Sequence, residues 1–505
     1  MPDPEPLPGA PTPPIELAGG AAGASAHLTT PVVPLPDGFV AELRGVCAEV
    51  LDDPAERAEA SRDWWPLAMV WATQGQVGGL AGVVARPTDT AEVAAVVAAC
   101  HRAGVPVTAA GGRSSVVGGA VPVHGGVVLD LCRLTGIVSV DPTSMIVEVL
   151  AGTFGDAFED ALQGNHAVTV GHWPQSMALS TVGGWLACRG AGQLSNRYGK
   201  IEDIVVGLEV VLADGTVIVT GGQPREAVGP DLNQLFVGSE GTLGVITRAW
   251  LQAHPLPADT GAAAYGFTTF ATALDVMRRT VQRGADVAVL RLYDGVEAQR
   301  SFETDGSTHL LLAYDEGEPT LVDARLGLLA EEAELAGATE LDAGLVDRWF
   351  EHRNEVSALE ALISRGYVVD TMEVAGPWAA LPGIFDAAIG AISAVPGTLA
   401  ASCHQSHSYQ TGGCLYFTFA GQVAPEERDA YYVAAWDAGT RAVLERGGAL
   451  SHHHGVGLNR ARFVPDALGA AFPTLVALKA ALDPTGILNP GKLGLPSPFG
   501  EVAWP

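Results

Sequence analysis

The spacing of apolar positions changes along the chain and divides it into segments. Residues 1–37 are rich in Pro, Ala and Gly with no hydrophobic period, which predicts a flexible tail. From Gly38 to Arg62, Val40, Leu43, Cys47, Val50 and Leu51 recur at helical spacing and open an N-terminal helical segment over 38–79. The cluster Trp64-Trp65-Pro66-Leu67 follows and reads as a packing anchor, because large aromatics are usually buried. Near Val83 the period changes. Gly82–Arg86 and Val105–Ala110 read as strands around a helix from Thr88 to His101, with Glu92 placed to help its N-cap. Short β units follow at Gly126, Gly136 and Met145, then a helix with Phe154, Phe158 and Leu162 on one face. Asp203–Val219 alternates as a hairpin turning at Asp214-Gly215, and Asp231–Thr247 as a short helix, a Gly-Ser-Glu-Gly turn and a strand. This makes 80–255 one α+β unit. Over 256–445, strands near Val287–Tyr293, His309–Tyr314 and Leu415–Ala420 alternate with helices Leu321–Leu335 and Pro425–Arg446. That predicts a second α+β domain with an antiparallel sheet, followed by a C-terminal segment, 446–505. The fold class is α+β.

Composition narrows the partners. A chain of 505 residues is too long for one core. A net charge of −29 argues against nucleic acid and against adsorption to anionic lipid, since both require basic surface. Lysine is confined to Lys200, Lys479 and Lys492, so an arginine at a candidate site stands out as an anion ligand. Six scattered cysteines without CxxC spacing read as reduced core thiols, which predicts a cytoplasmic protein. No secretory signal and no run of 18 apolar residues is visible. The expected partner is a small molecule or lipid met at most at the membrane surface, with a homodimer left open.

Three glycine-rich turns close strands in 80–255: Gly111-Gly112-Arg113-Ser114-Ser115, the long stretch Pro174–Gln193, and Gly238–Gly244. Glycine lets backbone approach a partner closely, and successive free amides make an anion-binding nest. No GxGxxG follows a strand, so this is not the Rossmann arrangement.

Arg86-Pro-Thr, Ala110-Gly-Gly-Arg-Ser-Ser, Ser180-Thr-Val-Gly-Gly-Trp, Arg197-Tyr-Gly-Lys-Ile-Glu-Asp and Gly238-Ser-Glu-Gly-Thr-Leu-Gly together resemble the two-subdomain, PCMH-type FAD-binding domain of the vanillyl-alcohol-oxidase superfamily. The resemblance runs over roughly residues 60–495. With Gly171-His172 and Ser451-His-His-His-Gly-Val-Gly, it is strongest to the alkyldihydroxyacetonephosphate synthase family. It implies FAD bound over 80–255, a substrate (cap) domain over 256–445, and a C-terminal segment that returns to the flavin. The cofactor-binding residues it implies are Thr108, Ala109, Ala110, Gly111, Gly112, Arg113 and Ser114; Pro174, Gln175, Ser176, Met177, Ala178, Leu179 and Ser180; Gly183 and Gly184; Ala187, Cys188, Arg189 and Gly190; and Glu240, Gly241, Thr242, Leu243, Gly244, Val245 and Ile246. Family members with covalent flavin often use a His in the first Gly-Gly turn. Arg113 stands there, so non-covalent FAD is expected.

The second domain carries the candidate chemistry. Arg291 lies inside an apolar strand, where an unpaired charge is costly, so an internal salt bridge and a substrate contact are both open. The resemblance implies that Arg291 matters for activity and that Arg353 holds a substrate phosphate or carboxylate, a task suited to a bidentate guanidinium. It also implies that Tyr409 shuttles a proton, which needs a lowered pKa or a nearby base such as His407. His452, His453 and His454 are expected as acid–base groups. They are not expected to hold a metal, because consecutive residues diverge and no ligand-spaced partner is visible. Asn489 and Lys492 are candidates to reach the cofactor, although a plain helix stop explains that segment equally well.

Two activities follow from the resemblance. One exchanges the acyl group of acyl-dihydroxyacetone phosphate for a fatty alcohol through a flavin N5 adduct, a step of ether lipid biosynthesis. The other is an FAD-linked D-2-hydroxy-acid (lactate/glycolate-type) dehydrogenase or oxidase. Leu458 stands where the synthases usually carry Lys; either the substrate lacks phosphate or Arg460 or Arg462 replaces that cation.

Overall fold

The computed structural model describes residues 5–504. In a first small sheet, Val83–Ala85, Val127–Asp130 and Val107–Ala110 run parallel, with Val50–Leu51 antiparallel at the edge. Helix Thr90–Ala103 makes the crossover. Asp89 accepts the Glu92 amide at 2.8 Å, pairing one orphan donor of the first turn, and Glu92 accepts the amide of Thr88, just before the cap, at 2.9 Å. Val93, Val96 and Val97 bury against Val83, Val107 and Val127. A second, antiparallel sheet orders Val217–Gly221, Val205–Val211, Val245–Gln252, Ile146–Leu150 and Ile137–Asp141.

The third sheet has seven antiparallel strands in the order Thr339–Leu341, Asp259–Phe267, His309–Gly317, Val289–Tyr293, Thr398–Ser408, Gly412–Gly421 and Val368–Pro377. Helices Phe270–Gln282, Pro319–Leu335, Leu381–Ser393 and Arg428–Glu445 cover one face. Leu290, Leu292, Met372 and Phe417 pack there against Val276, Leu329, Ile384 and Trp436. Side chains alternate along a strand, so Arg291, Thr371, His404, Tyr416 and Thr418 are left for the other face, which is turned to the first two sheets.

Two expectations change. The proline-rich start is fastened rather than free from residue 5 onward; Met1–Pro4 lie outside the described residues. Ser25–Ala26 pairs with Gln76–Val77, and Ile15 and Leu17 bury against Trp64, Met69 and Val70. The carbonyls of Leu7, Thr12 and Ile15 accept from Thr135, Trp64 and Arg62. Proline removes amide donors and leaves carbonyl acceptors, so such a segment is held by side chains that donate to it. The single helix expected over 38–62 is two, Phe39–Arg44 and Pro54–Ala60, because Asp53 caps a new start with Pro54 in the first turn. One helical run, Ala461–Leu482, reaches a mean hydropathy of 1.3 over an 18-residue window, which makes it a marginal apolar helix by length and composition and no clear span. Prolines 465 and 473 and a turn at Gly469 interrupt it, and Lys479 is buried on Asp483 and the carbonyls of Thr242 and Leu488.

Candidate active site

A cavity of about 650 Å³ lies between the glycine turns and the open face of the seven-stranded sheet. The turns press on one another. A Cβ on Gly112 would stand 2.0 Å from the Leu179 carbonyl oxygen, and one on Gly111 would stand 2.2 Å from Thr181 Oγ1. Those glycines are demanded by neighbouring backbone and side chain. At Gly190 and Gly241 the nearest atoms stand at 3.4 and 3.6 Å, leaving room beside the cavity, while at Gly184 Thr181 Oγ1 stands at 3.3 Å and would have to give slightly. The amides of Gly112, Arg113, Ser114, Ser115 and Val116 find no acceptor among the described residues. Free donors beside an open cradle fit a pyrophosphate-bearing group such as FAD.

Of the residues expected at the cofactor, Ala109 to Ser114, Pro174 to Ser176, Leu179, Ser180, Gly183, Gly184, Ala187, Cys188, Gly190, Glu240, Gly241 and Gly244 to Ile246 line the cavity. Thr108, Met177, Ala178, Arg189, Thr242 and Leu243 do not. Met177 and Leu243 belong to the apolar core beneath, Thr108 is buried in its strand, and Ala178 is exposed on the outside. Arg189 turns away to Gln234 and the Val237 carbonyl, both at 3.1 Å, while Thr242 bonds back to Ser239. Chain that follows a ligand alternates towards it and away from it, so a contiguous motif overstates the contact. Arg113 is paired with Asp130 at 3.1 Å.

Across the cavity, Arg291, Arg353, His407, His453 and His454 line the wall. Arg291 makes no salt bridge with a carboxylate among the described residues. Its guanidinium donates to Tyr293 Oη at 3.0 Å and to His404 Nε2 at 2.7 Å, and His404 Nδ1 faces Glu297 at 3.0 Å. Arg353 has no ion-pair partner among the described residues. It stands over Trp173, Trp349 and Phe350, 5.5, 5.7 and 4.7 Å from their ring centroids, with Nη1 buried and unpartnered. Burial lowers its pKa, so an anion arriving beside it is strongly favoured.

Tyr409 and His452 stand behind the lining. Tyr409 Oη lies 2.8 Å from His452 Nε2, and His452 Nδ1 lies 2.9 Å from His453 Nδ1. Burial pushes the His407, His452 and His453 imidazoles well below their usual range and His454 to about 4, while it pushes the Tyr409 phenol up. Neutral His452 therefore accepts from the phenol and donates onward, giving a hydrogen-bonded file Tyr409–His452–His453 that ends at the cavity. Tyr409 keeps its proton, so of the two routes open to it, a lowered pKa or a neighbouring base, the second is the one with a partner in place, His452. His407 brings a third imidazole to within 4.8 Å of His452 and His453, which the sequence did not reveal. The His407 and His452 rings are stacked at 4.9 Å, and these imidazoles spend nitrogens on Ser195, Tyr409 and each other.

Other expected residues serve the scaffold. Leu458 is buried in the core of the seven-stranded domain. Arg460 is sealed on Glu373 at 3.0 Å, and Arg462 pairs with Asp437, so neither offers the cavity a replacement cation. Asn489 holds the Gly119 and Glu240 carbonyls and Lys492 holds that of Val121; neither lines the cavity. The sequence did not single out Trp64, Gln193, Glu297, Trp349 and His404 as lining residues. His172, a motif residue given no role, also lines the cavity; it packs 4.7 Å from Trp185 with both ring nitrogens unpartnered, and burial lowers it to about 3. The position of Trp349 beside Arg353 and the strand alternation around Arg291 were the available signals.

Comparison with known proteins identifies the cradle. An FAD binding domain family matches residues 81–221, and the C-terminal domain of FAD linked oxidases matches 256–493. YgcU of Escherichia coli O157:H7, an FAD-linked oxidoreductase, is 33% identical over 408 residues, spanning 77% of this chain and 83% of that protein. The chain belongs to the FAD-linked oxidoreductases of the PCMH/vanillyl-alcohol-oxidase type. FAD is the cofactor of this flavoprotein family, and its binding fold is the one described above. A solved alkyldihydroxyacetonephosphate synthase superposes with a TM-score of 0.78 at 25% identity, covering 96% of this chain and 90% of that one. Bovine mitochondrial D-2-hydroxyglutarate dehydrogenase is 29% identical over 494 residues, 90% of this chain and 83% of that protein.

Proposed function

We propose that this flavoenzyme exchanges the acyl group of an acyl-dihydroxyacetone phosphate for a fatty alcohol, in the manner of the synthase it resembles. The observation that carries this reading is Arg353, an unpaired guanidinium that shares its cavity with a contiguous apolar wall. Trp64, Met69, Val116, Leu179 and Val356 form that wall, and Val356 lies on the same segment as Arg353. One cation beside apolar surface suits an amphiphilic anion. FAD, held by the turns at 109–115, 174–190 and 240–246, supplies the electron-accepting ring that chemistry of this family requires.

The chain's own residues divide the remaining work. Arg353 fixes the phosphate, and Arg291, steadied by His404, adds positive potential beside it. The file donates towards the cavity, from Tyr409 through His452 to His453, so His453 presents a proton to the reacting centre, and His454 faces the cavity as the imidazole free to take one. The balance is an acyl ester and an alcohol giving an alkyl ether, a carboxylate and one proton, and His454 takes that proton.

Oxidation of a D-2-hydroxy acid is the second reading. It is favoured by the missing cation at Leu458, which neither Arg460 nor Arg462 replaces, and by the polar sheet wall, where Thr371 pairs with Thr418 across strands and Ser406 Oγ is buried without a partner. An anaerobic visible spectrum of the purified protein, before and after each substrate, distinguishes the two. Perturbation by acyl-dihydroxyacetone phosphate, with fatty acid released only in step with alcohol incorporation, supports exchange. Bleaching by D-2-hydroxyglutarate or D-lactate displaces it. Yellow flavin released on denaturation is the outcome expected for non-covalent FAD.

A further inference from the structure

Glu373, on strand Val368–Pro377, is fully buried, and no step above uses it. Its carboxylate accepts the His452 amide at 2.5 Å, the His454 amide at 2.7 Å and Ser451 Oγ at 2.8 Å. Arg460, also fully buried, compensates its charge at 3.0 Å and spends a further bond on the Leu450 carbonyl. A second carboxylate, Glu240, holds the amides of Val456 and Gly457, and Lys200 holds the His452 carbonyl at 2.7 Å. The histidine loop thus hangs on buried charges from both halves of the protein. Stripping a carboxylate of water is costly, and four donors are what make this one tolerable.

A single carboxylate that takes the amides of residues 452 and 454 constrains where the intervening His453 can point. Its Oε1 also lies 3.5 Å from His454 Nδ1, too far for a hydrogen bond but the facing charge for that buried nitrogen, which has no hydrogen-bond partner among the described residues; His454 Nε2 likewise meets no protein partner among them. Facing this ring are Glu373 from the sheet, Arg460 from the following segment, and the rings of His453 at 4.5 Å and Tyr416 at 5.5 Å. We propose that Glu373 is the positioning residue of the histidine loop: it keeps the proton of His454 on Nδ1, so that Nε2 is presented to the cavity as a base. A buried carboxylate facing one ring nitrogen favours the proton on that nitrogen through its charge and stabilises the imidazolium formed when the base takes a proton. The inference rests on the proposed exchange only for the identity of the group deprotonated.

The test uses the FAD-bound protein labelled with ¹⁵N-histidine at pH 7.5, with His454 assigned by its loss in His454→Gln. Wild-type protein is expected to show His454 protonated on Nδ1. Protonation on Nε2 overturns the proposal without need of a variant. Glu373→Gln is expected to move at least half of the population to the other tautomer; an unchanged tautomer in a folded, yellow variant also overturns it. On whichever substrate reacts in the spectral test, Glu373→Gln is expected to lower kcat about 100-fold, the range for losing a positioned base, with KM within about twofold. Glu373→Asp, which keeps the charge, recovers part of that loss. If neither substrate reacts, the exchange reading fails while the tautomer result still decides this one.

Discussion

The two walls of the cavity are made differently. The FAD wall is backbone: three turns stacked on each other, with free amides at Gly112 to Val116 and glycines where turn meets turn. The substrate wall is side chain: Arg291, Arg353 and the histidines, each oriented by another buried side chain or by a ring. A backbone wall depends on where the chain goes and tolerates exchange of outward-facing residues. A side-chain wall depends on individual groups, so single substitutions there should remove function while leaving the fold intact.

The largest effect expected is at Arg353. Arg353→Met should lower kcat/KM for the anionic substrate about 1,000-fold, some 4 kcal/mol, since a charge-assisted bidentate contact is lost in a dry site. Flavin content should not change; flavin loss would place Arg353 in the scaffold and erase the contrast between the walls. Next is the proton file. Tyr409→Phe is expected to cut kcat by roughly 100-fold with KM little altered, measured under substrate saturation. An equal rise in KM would mean that the phenol contacts substrate, against its position behind His452.

Glycines sharpen the comparison from the other side. Gly112→Ala meets the Leu179 carbonyl and should cost about 1–3 kcal/mol in denaturant unfolding even without flavin. Gly184→Ala, inside helix Val182–Cys188 with its nearest neighbour at 3.3 Å, should not destabilise the protein; any penalty should appear in FAD dissociation. The smallest effect is the acid sensitivity contributed by His172. Burial holds it near 3, against about 6.5 in the unfolded chain. Below 6.5 the unfolded chain takes up a proton that the folded one refuses. Stability from this group is therefore full above 6.5 and declines by about 1.4 kcal/mol per pH unit as pH falls. Asp63 and Asp370, raised by burial to about 6 and about 7, act in the opposite sense, since the folded protein keeps protons that the unfolded chain releases above 3.8. Comparing unfolding of wild type with His172→Asn at pH 7 and 5.5 isolates the histidine; identical pH slopes would show that His172 is not buried neutral.

The backbone wall was legible in the sequence because its determinants are local. Gly-Gly at a strand end and hydroxyls after it report a turn with free amides. Even there, alternation hid that Met177, Arg189 and Leu243 face away. The substrate wall was only partly legible. Arg291 and His404 stand 113 positions apart and Glu373 and His454 81 apart, and the seven-stranded sheet or the returning loop alone brings them together. Nothing near Glu373 in the chain announces a partner. The first residues misled for another reason: proline-rich composition reports the absence of amide donors, not of partners for carbonyls such as those of Thr12 and Ile15.

Trp65 has a consequence in time. It lies early in the chain, yet its indole donates to Tyr432 Oη at 2.9 Å, 367 residues later, and Trp504 stacks on it at 5.7 Å. Made at about 5–20 residues per second, the chain must wait roughly 20–70 s between the synthesis of the tryptophan and that of its hydroxyl partner. Throughout that interval a large apolar ring has left the ribosome without its final resting place. The nascent protein therefore depends on something else to shield Trp65, and production in cells should respond to chaperone supply and slower growth temperature more than the isolated strength of either half would suggest.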